Sequence, residues 1–174
     1  MERVVIIGTS CSGKSHLAKA LSLKLSLPHI ELDELHWKPN WQERSKEEFS
    51  LLVNQSISID SWVVDGNYSM VRDIVWPKAT TIIWLNYSFP LVLFRSIKRS
   101  IIRAATKETL FAGNVETFKQ SFFSKDSIIL WVISTHRKKR RTYPSLLSSQ
   151  LASHVKVKIF TNPRQLRKYV EQLP

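Results

Sequence analysis

The sequence contains the stretch Gly8-Thr9-Ser10-Cys11-Ser12-Gly13-Lys14-Ser15, which matches the pattern G-x-x-x-x-G-K-[ST] in full. An apolar run, residues 4–7, comes directly before it and is typical of a buried parallel strand. After it, leucines recur at helical spacing until Pro28 ends the pattern. The order strand, glycine loop, helix predicts a phosphate-binding loop. The structural alternative is a glycine-rich turn that binds no nucleotide.

Each residue type in this loop has a task that phosphate binding requires. Glycines at 8 and 13 allow tight turns that bring backbone N–H groups onto phosphate oxygens, and the following helix N-terminus adds partial positive charge. Lys14 is expected to reach the β and γ phosphates, and the Ser15 hydroxyl to bind the Mg²⁺ that bridges them. The predicted nucleotide-binding residues here are Gly8, Ser10, Cys11, Ser12, Gly13, Lys14, Ser15 and His16.

The length and composition of the chain limit its number of domains, its location and its partners. With 174 residues, 43% of them apolar, the chain is predicted to form one domain over residues 1–174. No apolar run reaches the roughly 20 residues that span a bilayer, and no signal peptide precedes the first strand, so the expected location is the cytoplasm, without membrane contact. Cys11 is the only cysteine, which excludes an internal disulfide. The net charge of +12 indicates polyanionic partners, either nucleotide phosphates or a nucleic acid.

A short apolar segment, residues 29–32, is predicted to be a strand with Asp33 at its C-terminal end, where open α/β sheets bind ligands. Residues 33–41 follow with acids, a histidine and two tryptophans but no periodicity, and we interpret them as a functional loop. The alternative for the tryptophans is packing beneath the loop, and the histidine taken alone is a weak signal. The candidate substrate-binding residues here are Asp33, His36 and Trp37, with Asp33 also a candidate catalytic residue.

A second buried strand is predicted at residues 62–64 and ends at Asp65. An aspartate at this position holds Mg²⁺ or its water in phosphate-loop enzymes, so Asp65 and Ser15 are the predicted metal ligands. Arg72 follows in a short predicted helix, where it could clamp an acceptor anion with two hydrogen bonds; an exposed salt bridge is the alternative. The substrate-binding residues predicted from this region are Asp65, Asn67, Tyr68 and Arg72.

A long helix is predicted to begin near Pro90 and to carry two stripes. Arg95, Arg99 and Arg103 recur at i, i+4 and i+8 on one face. Three arginines in a row repel one another, so the row suits the gripping of phosphates better than it suits stability; a solvated face is the alternative. The second stripe is apolar and consists of Phe94, Ile97, Ile101 and Ala105.

Residues 106–116 break the helical pattern and contain Gly113-Asn114, which predicts a loop that folds over the nucleotide as a lid. A second helical stretch follows and leads into a basic run at 136–141, and then a predicted turn at Tyr143-Pro144. The basic run is either the other half of the lid or a solvated surface that attracts nucleic acid. The helical and lid segment as a whole is predicted at about 95–145.

The end of the chain completes the pattern. Residues 155–159 alternate valine or isoleucine with lysine, which predicts a strand at the edge of the sheet. Asn162 and Pro163 are typical of the start of a last helix. Because strands and helices alternate along the whole length, the predicted fold class is α/β, a parallel sheet with helices on both faces.

The chain resembles the small phosphate-loop kinases related to adenylate kinase and, more narrowly, the topology-modulation (FlaR-type) proteins. The resemblance spans nearly the whole length and is carried by the loop at 8–15 and by residues 32–41, 62–68 and 113–116. It implies a P-loop NTPase fold with three α/β/α layers, a five-stranded parallel sheet in adenylate-kinase order, and ATP on the loop. It also implies an acceptor site between the Asp33 and Asp65 strand ends, a lid that maps onto the arginine row and the basic run, and Asn162 and Pro163 near the adenine.

The leading functional hypothesis is transfer of the γ-phosphoryl group of ATP to a small-molecule acceptor, namely a nucleoside, a nucleotide or a hydroxyl metabolite. Lys14, Mg²⁺ and the lid arginines Arg99 and Arg103 would neutralise charge, and Asp33 would orient or deprotonate the acceptor. One alternative is a nucleotide-dependent nucleic-acid-binding protein that modulates DNA topology; another is a plain ATPase that needs no acceptor.

Overall fold

The computed structural model describes residues 2–124, 127–149, 151 and 154–173. The strands are β1 (Arg3–Gly8), β2 (His29–Glu31), β3 (Trp37–Lys38), β4 (Gln42–Glu43), β5 (Trp62–Asp65), β6 (Thr81–Leu85) and β7 (Lys156–Phe160). The α-helices are α1 (Lys14–Leu25), α2 (Leu32–His36), α3 (Lys46–Ser56), α4 (Arg72–Val75), α5 (Phe89–Thr106), α6 (Phe118–Phe123), α7 (Ile128–Ser149) and α8 (Pro163–Glu171). No helix among these residues is both long and apolar enough to cross a membrane.

Five of the strands form one parallel sheet in the order β2-β5-β1-β6-β7, which confirms the predicted sheet. The strand that enters the phosphate-binding loop is therefore central, and the chain order reverses beside it, which is where such sheets bind ligands. The register aligns the carboxyl ends of all five strands. The paired positions at that end are Glu31 with Asp65, Asp65 with Ile6, Gly8 with Leu85, and Leu85 with Phe160.

Helices cover both faces of the sheet, because alternate side chains of the central strands are apolar on both sides. On one face, Val4 and Ile6 of β1 pack in a cluster with Leu17 and Leu21 of α1. On the other face, Val5 and Ile7 pack in a cluster that includes side chains of α3 and the second half of α7. The result is the three-layer α/β/α arrangement.

The segment predicted as an irregular loop, residues 33–41, has regular structure. Strand β2 ends at Glu31 rather than at Leu32, and α2 begins directly after it. Leu32 is buried in the core, and acidic side chains in the first turn favour a helix N-terminus. Beyond α2, β3 and β4 form a small antiparallel pair. The sequence of this segment shows no helical or strand periodicity because its elements are too short to display a repeat.

The turn predicted at Tyr143-Pro144 is wrong, because α7 continues from Ile128 to Ser149 with Pro144 inside it. Tyr143 and Leu147 lie four residues apart and are both buried, and the Tyr143 ring packs edge-on against Trp84 at 5.5 Å. A proline inside a helix costs about 3 kcal/mol. Burial of two large side chains contributes about 1.5–3 kcal/mol each, which is enough to hold the helix together.

In α5 the apolar stripe faces solvent and the arginine row faces the protein, which is the reverse of what hydrophobicity alone predicts. Phe94 is 65% exposed and Ile101 49% exposed. The buried positions of α5 are Val92, Ser96 and Ser100, and the arginine row beside them is partly buried. Small serines let the helix approach its neighbours closely, so the arginines are held against the protein rather than in solvent.

Strand β7 lies at the edge of the sheet, as the alternation predicted. Its apolar side chains Val157 and Ile159 are nevertheless exposed, and Lys158 lies over the Tyr169 ring of α8 at 4.8 Å. Helix α8 begins at the predicted place, with Asn162 Oδ1 accepting a hydrogen bond from the Arg164 backbone N–H at 2.8 Å.

Candidate active site

The phosphate-binding loop has the backbone geometry that its glycines predict. A Cβ atom on Gly8 would lie 2.7 Å from Ser12 Oγ and 2.9 Å from the Leu85 carbonyl oxygen, closer than real Cβ contacts allow. Gly13 has φ of 98° and is the N-cap of α1. This left-handed conformation favours glycine. The loop therefore ends with the N-terminus of α1 directed at the carboxyl end of the sheet.

The side chains of the loop surround this helix N-terminus. Lys14 Nζ donates to the Thr9 carbonyl oxygen at 3.4 Å, and His16 is exposed. Burial raises the pKa of the Cys11 thiol, while the positive charges of Arg99 and Lys14 act in the opposite direction. The structure thus places Arg99, which is 85 residues further along the chain than Lys14, beside the same loop.

Asn67 holds the phosphate-binding loop and also lines the same cleft as Tyr68 and Arg72. Its Oδ1 accepts a hydrogen bond from the Gly8 backbone N–H at 3.2 Å, and its Nδ2 donates to the Gly8 carbonyl oxygen. Both polar ends of the Asn67 side chain are therefore occupied by one backbone residue. These contacts give Asn67 a structural role in the loop, and its contact with substrate stays a prediction.

A pair of carboxylates meets the Ser15 hydroxyl at the start of α1. Ser15 Oγ lies 2.6 Å from Asp65 Oδ2 and 3.0 Å from Glu31 Oε1. Asp65 is only 2% exposed, and its other oxygen, Oδ1, lies 2.8 Å from Nε2 of His29. Burial raises the pKa of the Glu31 carboxyl, and the neighbouring Asp65 raises it further. Two carboxylates and a hydroxyl are oxygen ligands of the kind that Mg²⁺ prefers, so these residues fit that ion.

Sequence reasoning missed His29 and Glu31. A usable signal was present, because residues i and i+2 of a strand share a face. Once β2 is paired with β5, Glu31 stands opposite Asp65 and His29 stands opposite Val63 on the same side. The intervening Ile30 packs into the core on the opposite face.

Asp33 lies just beyond this cluster, in the first turn of α2. The Tyr68 hydroxyl donates to Asp33 Oδ1 at 2.5 Å. Burial raises the pKa of the Tyr68 hydroxyl, and the Asp33 carboxylate raises it further, so Tyr68 stays protonated as a donor. Arg72 lines a cleft beside Tyr68, where its guanidinium lies 5.2 Å from the Trp76 ring centroid. Within the described part of the chain Arg72 forms no ion pair, so the salt-bridge alternative finds no support there.

His36 does not face a cleft, contrary to its prediction as a substrate-binding residue. It is 2% exposed and packs among aromatic rings, 4.4 Å from Tyr68 and 5.0 Å from Phe49 between centroids. Trp37 is partly buried and packs edge-on against His36 and Trp41. The His36 and Phe49 rings contact the Tyr68 ring, and the two tryptophans pack next to His36, which agrees with the packing alternative considered for them.

The arginine row of α5 faces the phosphate-binding loop. Arg95 Nη1 donates to the Ser12 carbonyl oxygen at 3.0 Å, and the guanidinium lies 5.4 Å from the Tyr87 ring centroid. Arg99 Nε is buried and has no hydrogen-bond partner among the residues that the structure describes. An unpaired buried donor of this kind costs stability unless a ligand satisfies it. Arg99 is thus the arginine best placed to accept an anion.

Arg103 is already occupied. Its guanidinium forms ion pairs with Glu116 at 3.0 Å and with Glu108 at 3.3 Å. Both acids belong to the segment predicted as a lid. In this conformation Arg103 holds that segment through both ion pairs while its charge also acts on Cys11 of the phosphate-binding loop. Its predicted catalytic role requires these ion pairs to open.

The predicted lid loop is docked on the β3–β4 region, and the charge of Glu116 at its end acts on Cys11 of the phosphate-binding loop. Asn114 is buried, and its Oδ1 accepts from the Trp41 backbone N–H at 2.9 Å. Its Nδ2 donates to the carbonyl oxygens of Lys38 at 2.9 Å and Phe111 at 2.7 Å. One asparagine therefore joins two segments that are 73 residues apart in sequence.

The basic run lies on α7, and one of its members turns inward. Arg137, Lys138, Arg140 and Arg141 are exposed, whereas Lys139 is partly buried. Burial lowers the pKa of the Lys139 amine to about 7; the charge of Lys14 lowers it further and that of Asp33 raises it. Lys139 therefore lies close to both the phosphate-binding lysine and the candidate catalytic carboxylate.

This placement predicts how folding stability varies with pH. Between the folded pKa of about 7 and the ordinary Lys value of 10.5, the unfolded chain binds a proton at Lys139 that the folded protein does not. Stability relative to a Lys139→Met variant is therefore expected to rise as pH rises through this window. Urea unfolding from pH 6.5 upwards measures it, and the exposed Lys138→Met variant serves as the control. A difference that is flat with pH would contradict the burial of Lys139.

Asn162 and Pro163 lie at the same end of the sheet as the phosphate-binding loop. Phe160, the last residue of β7, pairs with Leu85, which pairs with Gly8. The Asn86 backbone N–H also donates to the Phe160 carbonyl oxygen at 2.9 Å. The loop before α8 thus borders the site, although Asn162 uses its side chain as a helix cap.

Comparison with solved structures shows a shared fold. The structure is similar to a gluconokinase from Sinorhizobium meliloti 1021, with TM-score 0.53 and 16% identity over 98% of this chain and 87% of that chain. It is similar to a shikimate kinase from Acinetobacter baumannii in complex with shikimate, with TM-score 0.64 and 12% identity over 99% and 90%. It is also similar to a shikimate kinase from Bacteroides thetaiotaomicron, with TM-score 0.55 and 14% identity over 98% and 95%.

No family model and no curated protein matches the sequence. At identities this low the structural likeness shows the fold alone, an α/β fold with a five-stranded parallel sheet that the chain shares with this gluconokinase and these shikimate kinases. The predicted fold class is confirmed.

Proposed function

We propose that this protein transfers the γ-phosphoryl group of ATP to a small hydroxyl-bearing acceptor. The observation that carries the proposal is the continuous contact from the phosphate-binding loop to the strand that leads to Asp33. Ser15 Oγ lies within hydrogen-bond distance of Asp65 and of Glu31, and Asp33 follows Glu31 by two residues. An acceptor held at Asp33 would therefore lie beside the end of a triphosphate bound on the loop.

The residues of this chain would act mainly through position and charge, as is general for phosphoryl transfer. Lys14 and Arg99 would neutralise the charge that spreads over the equatorial phosphate oxygens. Ser15, Asp65 and Glu31 would hold Mg²⁺, which would supply positive charge to offset the negative charge of the phosphates. Asp33 would accept the proton of the acceptor hydroxyl, and Tyr68 would fix the orientation of that carboxylate.

Tyr68, which donates to Asp33, also lines a small cleft that bears on the class of acceptor. It is lined by apolar side chains such as Leu32, Val71 and Trp76, together with the Tyr68 ring and a single cation, Arg72. The free volume of this cleft is about 10 Å³, so it would have to widen to admit a compact acceptor, and Arg72 would then bind one anionic group of that acceptor with two hydrogen bonds. The fold neighbours that are named as kinases of small molecules, one of them in complex with shikimate, support this class of acceptor.

The test is an ADP-release screen with Mg-ATP over sugars, hydroxy acids, nucleosides and nucleotides. The expected result is ADP formation that depends on one class of acceptor, with no release of free phosphate beyond the acceptor-free level. Phosphate release at the same rate with and without every acceptor would replace the proposal with a plain ATPase. ADP formation with a nucleic acid as the only stimulant would replace it with the nucleic-acid alternative.

One observation favours a second candidate function, nucleotide-dependent binding of nucleic acid. Four basic side chains of α7 are exposed, namely Arg137, Lys138, Arg140 and Arg141. A protein that binds duplex DNA through such a face loses affinity steeply as salt rises. A DNA affinity that changes with ATP and falls in this way would support it. The narrower resemblance to the topology-modulation proteins rests on the sequence motifs alone.

A further inference from the structure

The carboxylate cluster contains a nitrogen donor that a magnesium site does not need. The ligand atoms of His29, Glu31 and Asp65 all lie within 4.8 Å of one another. Donor atoms around one metal ion, each about 2.0–2.3 Å from it, lie about 3–4.5 Å apart. Movements of a few tenths of an ångström would therefore bring all three onto a common ion.

The hydrogen bonds in the cluster leave a place for a cation. The Ser15 hydroxyl has one proton to donate, yet its oxygen lies within hydrogen-bond distance of both Asp65 and Glu31. Ser15 can therefore donate its proton to only one of the two carboxylates, and its oxygen faces the other carboxylate without a proton of its own in between. In the part of the chain that the structure describes, no lysine or arginine forms an ion pair with either carboxylate, and His29 is the only basic partner.

The fold also fixes these three side chains on one surface. His29 and Glu31 alternate with the core residue Ile30 on β2, and Asp65 faces them from β5 through the parallel register. The His29 side chain is 15% exposed, whereas that of Asp65 is 3% exposed. An ion can therefore enter from the His29 side of the cluster, whereas the buried Asp65 side chain is held in place by its surroundings.

We infer that this cluster is a binding site for a divalent transition-metal ion, with His29 Nε2, Asp65 and Glu31 as ligands in the nucleotide-free protein. Imidazole nitrogen favours the later first-row ions, and affinity for such a site rises from Mn²⁺ to Co²⁺. Mg²⁺ takes oxygen ligands and dehydrates reluctantly, so it competes poorly for a site with a nitrogen ligand. The inference rests on the proposed function only in that the same carboxylates would hold Mg²⁺ when ATP is present.

The test uses tag-free protein treated with a chelator and freed of nucleotide. Mn²⁺ is titrated in and its free fraction is measured by electron paramagnetic resonance. The expected result is one bound Mn²⁺ per chain, displaced by Co²⁺ at lower concentrations and by Mg²⁺ only at much higher ones. A His29→Asn variant is expected to bind Mn²⁺ at least about 10-fold more weakly and to lose the preference for Co²⁺ over Mg²⁺.

The matched control is His154→Asn, because His154 is exposed and lies outside the cluster. Asparagine at position 29 places its amide near the position of Nδ1 and so removes the Nε2 contact with Asp65. Thermal unfolding in chelator checks that the variant is folded; His29→Gln, whose amide nitrogen lies about where Nε2 does, serves if it is not. Equal Mn²⁺ binding by wild type and folded variant, or no binding by wild type at millimolar Mn²⁺, overturns the inference. Since ATP is absent, such a failure together with intact acceptor-dependent ADP formation would leave the proposed function standing.

Discussion

Replacing Lys14 with alanine is expected to lower acceptor-dependent ADP formation at least ~10²–10³-fold, or about 3–4 kcal/mol of transition-state stabilisation. Lys14 Nζ now lies over the loop, where it donates to the Thr9 carbonyl oxygen at 3.4 Å. That long contact is easily exchanged for a phosphate oxygen. The variant should therefore lose charge stabilisation without losing a bond that the fold depends on.

The matched control is Lys19→Ala, because Lys19 is exposed on the same helix. Both variants should show the wild-type circular dichroism spectrum and a similar midpoint of thermal unfolding. The Lys14 variant should also lose the thermal stabilisation that Mg-ATP gives the wild type. A Lys14→Ala protein with full activity would remove the phosphate-binding loop from the mechanism.

The elements around Lys14 could be predicted from sequence because each is specified locally. The apolar run before Gly8 is typical of a strand that is buried on both faces, as in a parallel sheet, and Gly13 occupies a backbone conformation that favours glycine. The Asp65 strand end is specified in the same way. These signals depend on adjacent residues, so no knowledge of the rest of the fold was needed.

The parts that sequence reasoning missed depend on contacts between distant segments. From its sequence neighbours, Asn114 is expected only to form a turn. Its side chain joins two segments because it hydrogen-bonds to the backbone of Trp41 and Lys38, which are far away in sequence. Pro144 signals a turn locally, but burial of Tyr143 and Leu147 on one helix face outweighs that signal. In such cases the free energy gained by burying side chains is larger than the cost of placing a residue against its local conformational preference.

The arginine row of α5 shows a third kind of limit. Helical spacing placed Arg95 and Arg99 on one stripe correctly, but spacing cannot tell which stripe faces the protein. Hydrophobicity would have turned Phe94 and Ile101 inward, and the structure turns them outward. The buried serines Ser96 and Ser100, next to the arginines in sequence, were the available signal.

An Asp33→Asn substitution is expected to lower the rate of phosphoryl transfer ~10²–10⁴-fold while leaving the affinity for Mg-ATP close to that of the wild type. Asparagine keeps the shape of the side chain and can still accept the hydrogen bond that Tyr68 donates at 2.5 Å. It cannot take a proton from an acceptor hydroxyl. Because Asp33 belongs to α2, beyond the Ser15, Glu31 and Asp65 cluster, the loss should appear in kcat rather than in nucleotide binding.

Single-turnover kinetics and calorimetry with Mg-ATP separate these two effects, and the exposed neighbour Glu34→Gln provides the matched control. A plain ATPase would release phosphate without an acceptor, so its rate should not depend on a base that serves the acceptor. If Asp33→Asn lowered acceptor-dependent and acceptor-free turnover equally, Asp33 would be acting on water or on the metal. A selective loss of the acceptor-dependent rate would instead identify α2 as the element that turns a nucleotide-binding fold into a kinase for a second substrate.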